Sequence, residues 1–190
     1  RCDWSSDVCS SDLLPIFHDM GLVFGILQPL YKGFPCYLMS AAAFVQHPFR
    51  WLQAISHYRA THSGAPNFAY DLCVQKISVE QRAALDLSSW CMSLNAAEPV
   101  RAETFRQFYE TFKVCGLHPT TICHGYGLAE AALIVAGARQ RDETIYFKVQ
   151  SAALERHQVL AAEDSHREAR TLVGSGYSGE DARPGIAHPE

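Results

Sequence analysis

Three short stretches carry residue types that can do chemistry together. His18-Asp19 stands between Phe17 and Met20-Gly21. An imidazole beside an apolar loop can gate or orient a substrate, and the neighbouring carboxylate can fix its tautomer; a hydrogen-bonded loop histidine would look the same. Asn95-Ala96-Ala97-Glu98-Pro99 follows an apolar run. Small residues after a strand let a flat ligand approach the backbone, while Asn95 offers an amide and Glu98 a carboxylate. The same residues also suit a helix start, with Asn95 or Glu98 near the cap and Pro99 in the first turn. Gly125-Tyr126-Gly127-Leu128-Ala129-Glu130 is the third. A tyrosine between glycines can lay its ring against a base. Glu130, just behind it, can hold Mg²⁺ bound to phosphates, because magnesium takes one or two carboxylates plus phosphate oxygens. An aromatic turn with Glu130 in the first turn of a helix is the alternative.

The elements that must position these stretches can be read from spacing. Pro35 to Met39 reads as a short buried strand. Pro48 can open a helix, continued by Phe49, Leu52, Ile55 and Tyr58 at helical spacing. Ala60 to Ser63 reads as a strand, ended by Gly64-Ala65-Pro66. A second helix is expected over Asn67 to Ile77, and Ser78-Val79-Glu80-Gln81 matches a capping box that would start a short third one. Trp90 to Leu94 and Thr120 to Cys123 read as strands. Between them Phe105, Phe108 and Phe112 line one face of a helix that Gly116 would end. Ala129 to Ala136 is expected to be helical, Thr144 to Val149 a strand, Ser151 to His157 a helix, and Thr171 to Val173 the start of another strand. This alternation implies an α/β fold: a layered, mostly parallel sheet with flanking helices. In such sheets sites form beyond the carboxyl ends of the strands, and the segments 95–99 and 124–130 are placed to do so.

Composition narrows the class. The chain has 190 residues, 48% hydrophobic and 19% charged, with a net charge of -4. That is enough for one sizeable core, and it offers no Lys/Arg cluster for a nucleic acid. No apolar run is long enough to span a bilayer: the stretch from Leu22 to Leu30 is interrupted by Gly25, Gln28 and Pro29. The start lacks the apolar core of a signal peptide. The seven cysteines are scattered, without a CxxC pair, as expected of reduced thiols in a cytoplasmic protein. There is no P-loop, no GxGxxG and no GxSxG. Asp3 to Leu13, DWSSDVCSSDL, resembles the in-frame translation of a sequencing-library adapter, so residues 1–13 are set apart as non-native and natural sequence is expected from Leu14.

Taken in order, LPIFHDMGLVFGILQPLYKGFP (Leu14 to Pro35), SGAPNFAYDLC (Ser63 to Cys73), DLSSW (Asp86 to Trp90), NAAEPVRAETF (Asn95 to Phe105) and YGLAEA (Tyr126 to Ala131) resemble the adenylate-forming superfamily. Within it the likeness is strongest to the fatty acyl-AMP ligases. The resemblance implies that the chain is a fragment of the large N-terminal domain of such an enzyme. On that reading 14–137 is the central part of the AMP-binding domain, 138–172 a subfamily-type insertion, and 173–190 the truncated start of the next subdomain. It implies activation of a fatty acid by ATP with Mg²⁺ to give acyl-adenylate, which passes to an acyl carrier protein.

Carried over by position, Asn95, Ala96, Ala97 and Glu98 would line the nucleotide site, with Tyr126 stacked on adenine beside Gly127. Glu130 would help hold Mg²⁺, and His18 would stand at the mouth of an acyl pocket bordered by Asn67 and Phe68. Ala129 fits the acyl-AMP ligases, whereas much of the superfamily has threonine there. Ala96 departs from the usual glycine, adding a methyl group against the adenine, and Ala41 departs from a usual proline. The phosphate loop, the ribose-binding aspartate and the C-terminal domain with its lysine are not among these residues, so this chain alone is expected to be inactive. A fragment of a fatty acyl-CoA synthetase is one alternative, and a non-catalytic module binding nucleotide or a carrier protein is another.

Overall fold

The computed structural model describes residues 10–139, 142–163 and 168–178. Its elements run in this order: β1 (Ser10–Asp12), α1 (Asp19–Leu22), a π-helical stretch (Val23–Leu27), α2 (Gln28–Lys32), β2 (Cys36–Leu38), α3 (Ala41–Gln46), α4 (Phe49–Tyr58), β3 (His62–Gly64), α5 (Asn67–Lys76), α6 (Val79–Ala83), β4 (Met92–Asn95) and α7 (Ala102–Phe112). The remainder comprises β5 (Ile122–Leu128), β6 (Leu133–Gly137), β7 (Tyr146–Gln150), α8 (Ser151–Leu154), β8 (Ala169–Val173) and β9 (Tyr177–Ser178).

The main sheet has the order β2-β1-β3-β4-β5-β6-β9. From β2 to β5 every pairing is parallel, whereas β6 and β9 are antiparallel additions. The sheet is therefore layered and mostly parallel, as the strand–helix alternation requires. Strand β1 lies between β2 and β3, inside the segment with the adapter-like sequence. A strand pairs through its backbone, so Ser-Ser-Asp can fill the slot. The Ser10 hydroxyl fits it less well, being buried with no hydrogen-bond partner. Residues 1–9 of that segment lie outside the described residues.

Apolar spacing explains the helices beneath the sheet. Trp51, Leu52 and Ile55 bury one face of α4, and Phe105, Phe108 and Phe112 bury one face of α7. Tyr70 of α5 joins them to form an aromatic core. Trp51 and Trp90 meet edge-to-face at 5.3 Å, and Tyr70 meets Phe108 at 5.1 Å. The Tyr70 hydroxyl is paired with Ser93 Oγ at 2.6 Å, and burial holds its pKa well above the ordinary phenol value. The capping box at Ser78 forms as its sequence implies, with Ser78 Oγ accepting from Gln81 N–H and the Gln81 side chain accepting from Ser78 N–H. After α7 and one 3₁₀ turn, Gly116 ends the segment at φ 85°.

Two sequence expectations need correction. Ala129 to Ala136 is not a helix: a single 3₁₀ turn, Ala129–Ala131, is followed directly by β6. The chain reverses at Ala132 (φ 53°) and Leu133 (φ 90°), and the β-branched pair Ile134-Val135 then favours a strand. Nor is 124–128 a loop. β5 continues through Gly125-Tyr126-Gly127-Leu128, paired with β6 and irregular between Tyr126 and Gly127.

Strands β7 and β8 form a separate antiparallel pair beside α7. Val149 and Ala153 are fully buried within this lobe. The helix expected over Ser151 to His157 is shorter, ending at Leu154. Among the described residues no helix is long and apolar enough to cross a membrane, and no disulfide joins the five described cysteines.

Candidate nucleotide and acyl site

A cavity of about 1080 Å³ opens at the carboxyl ends of the parallel strands. Each wall traces to an element. The segment between β1 and α2 supplies Leu14, Phe17, His18, Met20 and Phe24, and Phe34 follows α2. The end of β4 and the next two residues supply Leu94, Ala96 and Ala97. The β5–β6 hairpin supplies Gly125 to Ala129, Leu133 and Ile134. One cavity thus joins an apolar, aromatic-rich wall to a wall of small residues beside one tyrosine. Ligand sites have this mixed character, mostly apolar with a few placed polar groups.

His18 caps α1. Its Nδ1 lies 2.7 Å from Asp19 Oδ1, close enough for Nδ1–H to donate to the carboxylate. That tautomer leaves Nε2 with its lone pair free. The Met20 N–H lies 2.8 Å from Asp19 Oδ1 and 3.2 Å from His18 Nδ1; with the proton on Nδ1, the carboxylate is its acceptor. The loop is held tightly at its base: a Cβ at Gly21 would meet the Pro15 carbonyl oxygen at 2.2 Å.

Of the residues singled out in the sequence, His18, Ala96, Ala97, Tyr126 and Gly127 line this one cavity. Tyr126 is 55% exposed, so its ring is available to a ligand. Ala96, which stands in place of the expected glycine, has no left-handed backbone; its methyl group is buried beside Met20 and Leu133. The strain lies one residue on, at Ala97, with φ 73°. Asn67, Phe68, Asn95, Glu98 and Glu130 are not among the lining residues. Asn67 and Asn95 are fully buried behind the wall, and Phe68 packs edge-on against Phe44. Glu98 is tied to the backbone N–H of Phe68. Glu130 is exposed in the middle of the 3₁₀ turn Ala129–Ala131.

Several lining residues escaped the sequence reading. Among the residues lining the cavity, Arg139 is the one arginine or lysine and Asp19 the one carboxylate. The Arg139 guanidinium lies over the Tyr177 ring at 5.7 Å from its centroid. His62 of β3 lies on the floor, and burial lowers its pKa. No pattern in His62-Ser63-Gly64 marked it, since all three residues are half-buried and all three line the cavity; Arg139 and Tyr177 meet only through the pairing of β6 with β9.

The donor set bears on a metal. No group of three or more His, Cys, Asp or Glu side chains converges among the described residues. Glu130 alone suits an ion whose other ligands are phosphate oxygens and water, the usual manner for magnesium.

Comparison with known proteins gives a consistent result. Residues 2–154 match the model of the AMP-binding enzyme family. The chain is 45% identical over 165 residues to the medium-chain-fatty-acid acyl-carrier-protein ligase JamA of Moorena producens, covering 87% of this chain and 28% of that protein. It is 44% identical over 163 residues to the corresponding ligase TtuA of Teredinibacter turnerae, covering 86% of this chain and 25% of the relative. The fold superposes with a TM-score of 0.86, at 42% identity, on a fatty acyl-adenylate ligase from L. pneumophila solved in complex with acyl adenylate and pyrophosphate; 90% of this chain and 30% of that one are covered. The chain thus spans under a third of the length of each of these relatives.

Proposed function

This chain belongs to the AMP-binding enzyme family, and from that premise we propose that it is the part of a fatty acid–AMP ligase that holds the acyl carboxylate against the nucleotide. The observation that carries the proposal is the single cavity walled by both Phe17, Met20, Phe24 and Phe34 and by Ala96, Ala97, Tyr126 and Gly127.

In the reaction, a carboxylate oxygen of the fatty acid attacks the α-phosphorus of ATP. The bond to the bridging oxygen breaks, leaving acyl-adenylate and pyrophosphate. The protein's task is to hold the reactants in line and balance charge. The apolar wall takes the alkyl chain and excludes water. Tyr126 stacks on the adenine, while Ala96 and Ala97 let its plane approach the backbone of the 95–101 loop. His18, tied through Nδ1 to Asp19, stands where the carboxylate must lie. Arg139 supplies the positive charge of the wall. Glu130 would hold Mg²⁺ by one carboxylate, and the ion when bound supplies neutralisation of phosphate charge.

The similarity to JamA and TtuA supports a carrier protein as acceptor of the acyl group, and polyketide or lipopeptide assembly is the setting we propose for it. The separate β7–β8 lobe supports reading 138–172 as the subfamily-type insertion, in a domain whose central part is 14–137. A cytoplasmic setting, in which the scattered cysteines stay reduced, goes with this reading. The chain by itself is expected to form no acyl-adenylate.

The test is to extend the gene upstream of Leu14 and assay the complete protein with ATP and fatty acids, with and without coenzyme A. Acyl-adenylate without acyl-CoA supports the ligase reading. Rapid acyl-CoA formation assigns the protein to the synthetases, and no adenylate from any fatty acid refutes both.

A further inference from the structure

Asn67 opens α5 and has no exposed surface. A buried amide must spend its hydrogen-bonding groups on protein. Asn67 spends them on one segment roughly thirty residues away. Its Nδ2 donates to the Pro99 carbonyl oxygen at 2.9 Å. Its Oδ1 accepts from the Arg101 N–H at 3.1 Å and from Asn95 Nδ2 at 3.4 Å. The next residue adds another tie, Phe68 N–H to Glu98 Oε1 at 3.3 Å. One turn on, Asp71 Oδ2 lies 3.7 Å from the Arg101 guanidinium. The start of α5 therefore grips the 95–101 loop at both ends and in the middle.

That loop carries Ala96 and Ala97 into the cavity. Ala97 holds a left-handed conformation that an alanine adopts only when its surroundings over-determine it. The anchors at Asn95, Glu98, Pro99 and Arg101 flank it closely on both sides. Asn67 lies behind the wall and does not line the cavity.

We propose that Asn67 is a positioning residue for the nucleotide wall, setting the conformation of Ala96-Ala97 through the Asn95–Arg101 loop, and is not a wall of the acyl pocket. This rests on the reading of the cavity as an ATP and fatty acid site. The consequence is a split between substrates: loosening Asn67 weakens nucleotide binding and leaves fatty acid recognition alone.

The experiment measures ATP binding at equilibrium, KM for the fatty acid and Tm in the complete enzyme. The proteins are wild type, Asn67→Ala, Asn67→Asp and, as a stability control far from the cavity, Ser78→Ala, which breaks the capping box of α6. Asn67→Ala is expected to weaken ATP binding about tenfold, equivalent to ~1.4 kcal/mol, with the fatty acid KM unchanged. Asn67→Asp keeps the acceptor for the Arg101 N–H and the Asn95 amide but sets an oxygen against the Pro99 carbonyl in place of the Nδ2 donor, so it is expected to lose ATP affinity as well, again with the fatty acid KM unchanged; it decides the matter if the alanine variant does not fold. An equal change in both substrates overturns the proposal, as does a loss of ATP affinity that Ser78→Ala reproduces at a similar drop in Tm. A wild-type enzyme that binds no ATP overturns it too. If wild type binds ATP yet forms no adenylate, the ligase reading fails while the Asn67 comparison still decides this inference.

Discussion

A Cβ built on Gly127 would stand 1.7 Å from the carbonyl oxygen of Leu133. Across the β5–β6 hairpin Gly127 pairs with Ile134 and Leu128 with Leu133, so Gly127 and Leu133 are diagonal neighbours where the pairing becomes irregular and Leu133 turns at φ 90°. The hairpin that presents Tyr126 to the cavity can close only because residue 127 has no side chain. Gly127→Ala is therefore expected to lose on the order of 3 kcal/mol of stability, since backbone must move. Nucleotide binding should fall with it. Urea unfolding of this chain checks the first, and an unchanged midpoint would count against the close approach.

Tyr126 should show its role by contrast of two substitutions in the complete enzyme. Stacking of a base on an aromatic ring is worth ~1–3 kcal/mol when measured by alanine substitution. Tyr126→Ala is thus expected to weaken ATP binding about tenfold or more, and Tyr126→Phe to leave it near wild type. Equal losses in both would point to the hydroxyl instead of the ring.

Ala97→Gly relieves the left-handed strain at φ 73°. Against the 1–2 kcal/mol typical of that strain stands the extra freedom of glycine in the unfolded chain, about 0.4–1 kcal/mol. The expected net gain is roughly 0.5–1 kcal/mol, a rise in Tm of about 2 °C for a chain of this size. Calorimetry decides it, and a fall in Tm would show the loop to be relaxed as it stands.

His124 gives a pH dependence with a definite sign. It is buried on β5 against the Phe105 ring at 4.7 Å, with Nδ1 unpartnered. Burial pushes its pKa down to about 4 from an ordinary 6.5. The folded state then binds fewer protons than the unfolded state between those values. Its stabilising contribution is full above pH 6.5 and falls as the pH drops toward 4. The loss at pH 5 is about 2 kcal/mol by this linkage. His62 shifts in the same direction. Urea midpoints at pH 7 and pH 5 should separate more for wild type than for His124→Phe, and parallel shifts would remove His124 from the account.

Local physics was legible without coordinates. The spacing of Phe105, Phe108 and Phe112, the capping box at Ser78 and the stop at Gly116 each depend on residues a few positions apart, and each formed as read. The parallel character of the sheet followed from the alternation of strands and helices. The run after Ala131 was ambiguous because a short apolar stretch suits helix and strand alike. Only the reversal at Ala132 and Leu133 and the pairing with β5 made it a strand.

The sequence by itself picked out residues that come to the cavity wall: His18, the alanines at 96 and 97, and Tyr126 between its glycines. All of them lie within residues 2–154, which match the AMP-binding enzyme family. Tertiary structure alone decided that these residues share one cavity while Asn67, Asn95 and Glu98 stand behind its wall. The reason is that a fully buried amide looks the same in sequence whether it faces a substrate or a loop; which one it serves depends on hydrogen bonds that span some thirty residues and exist only once α5 and β4 are packed.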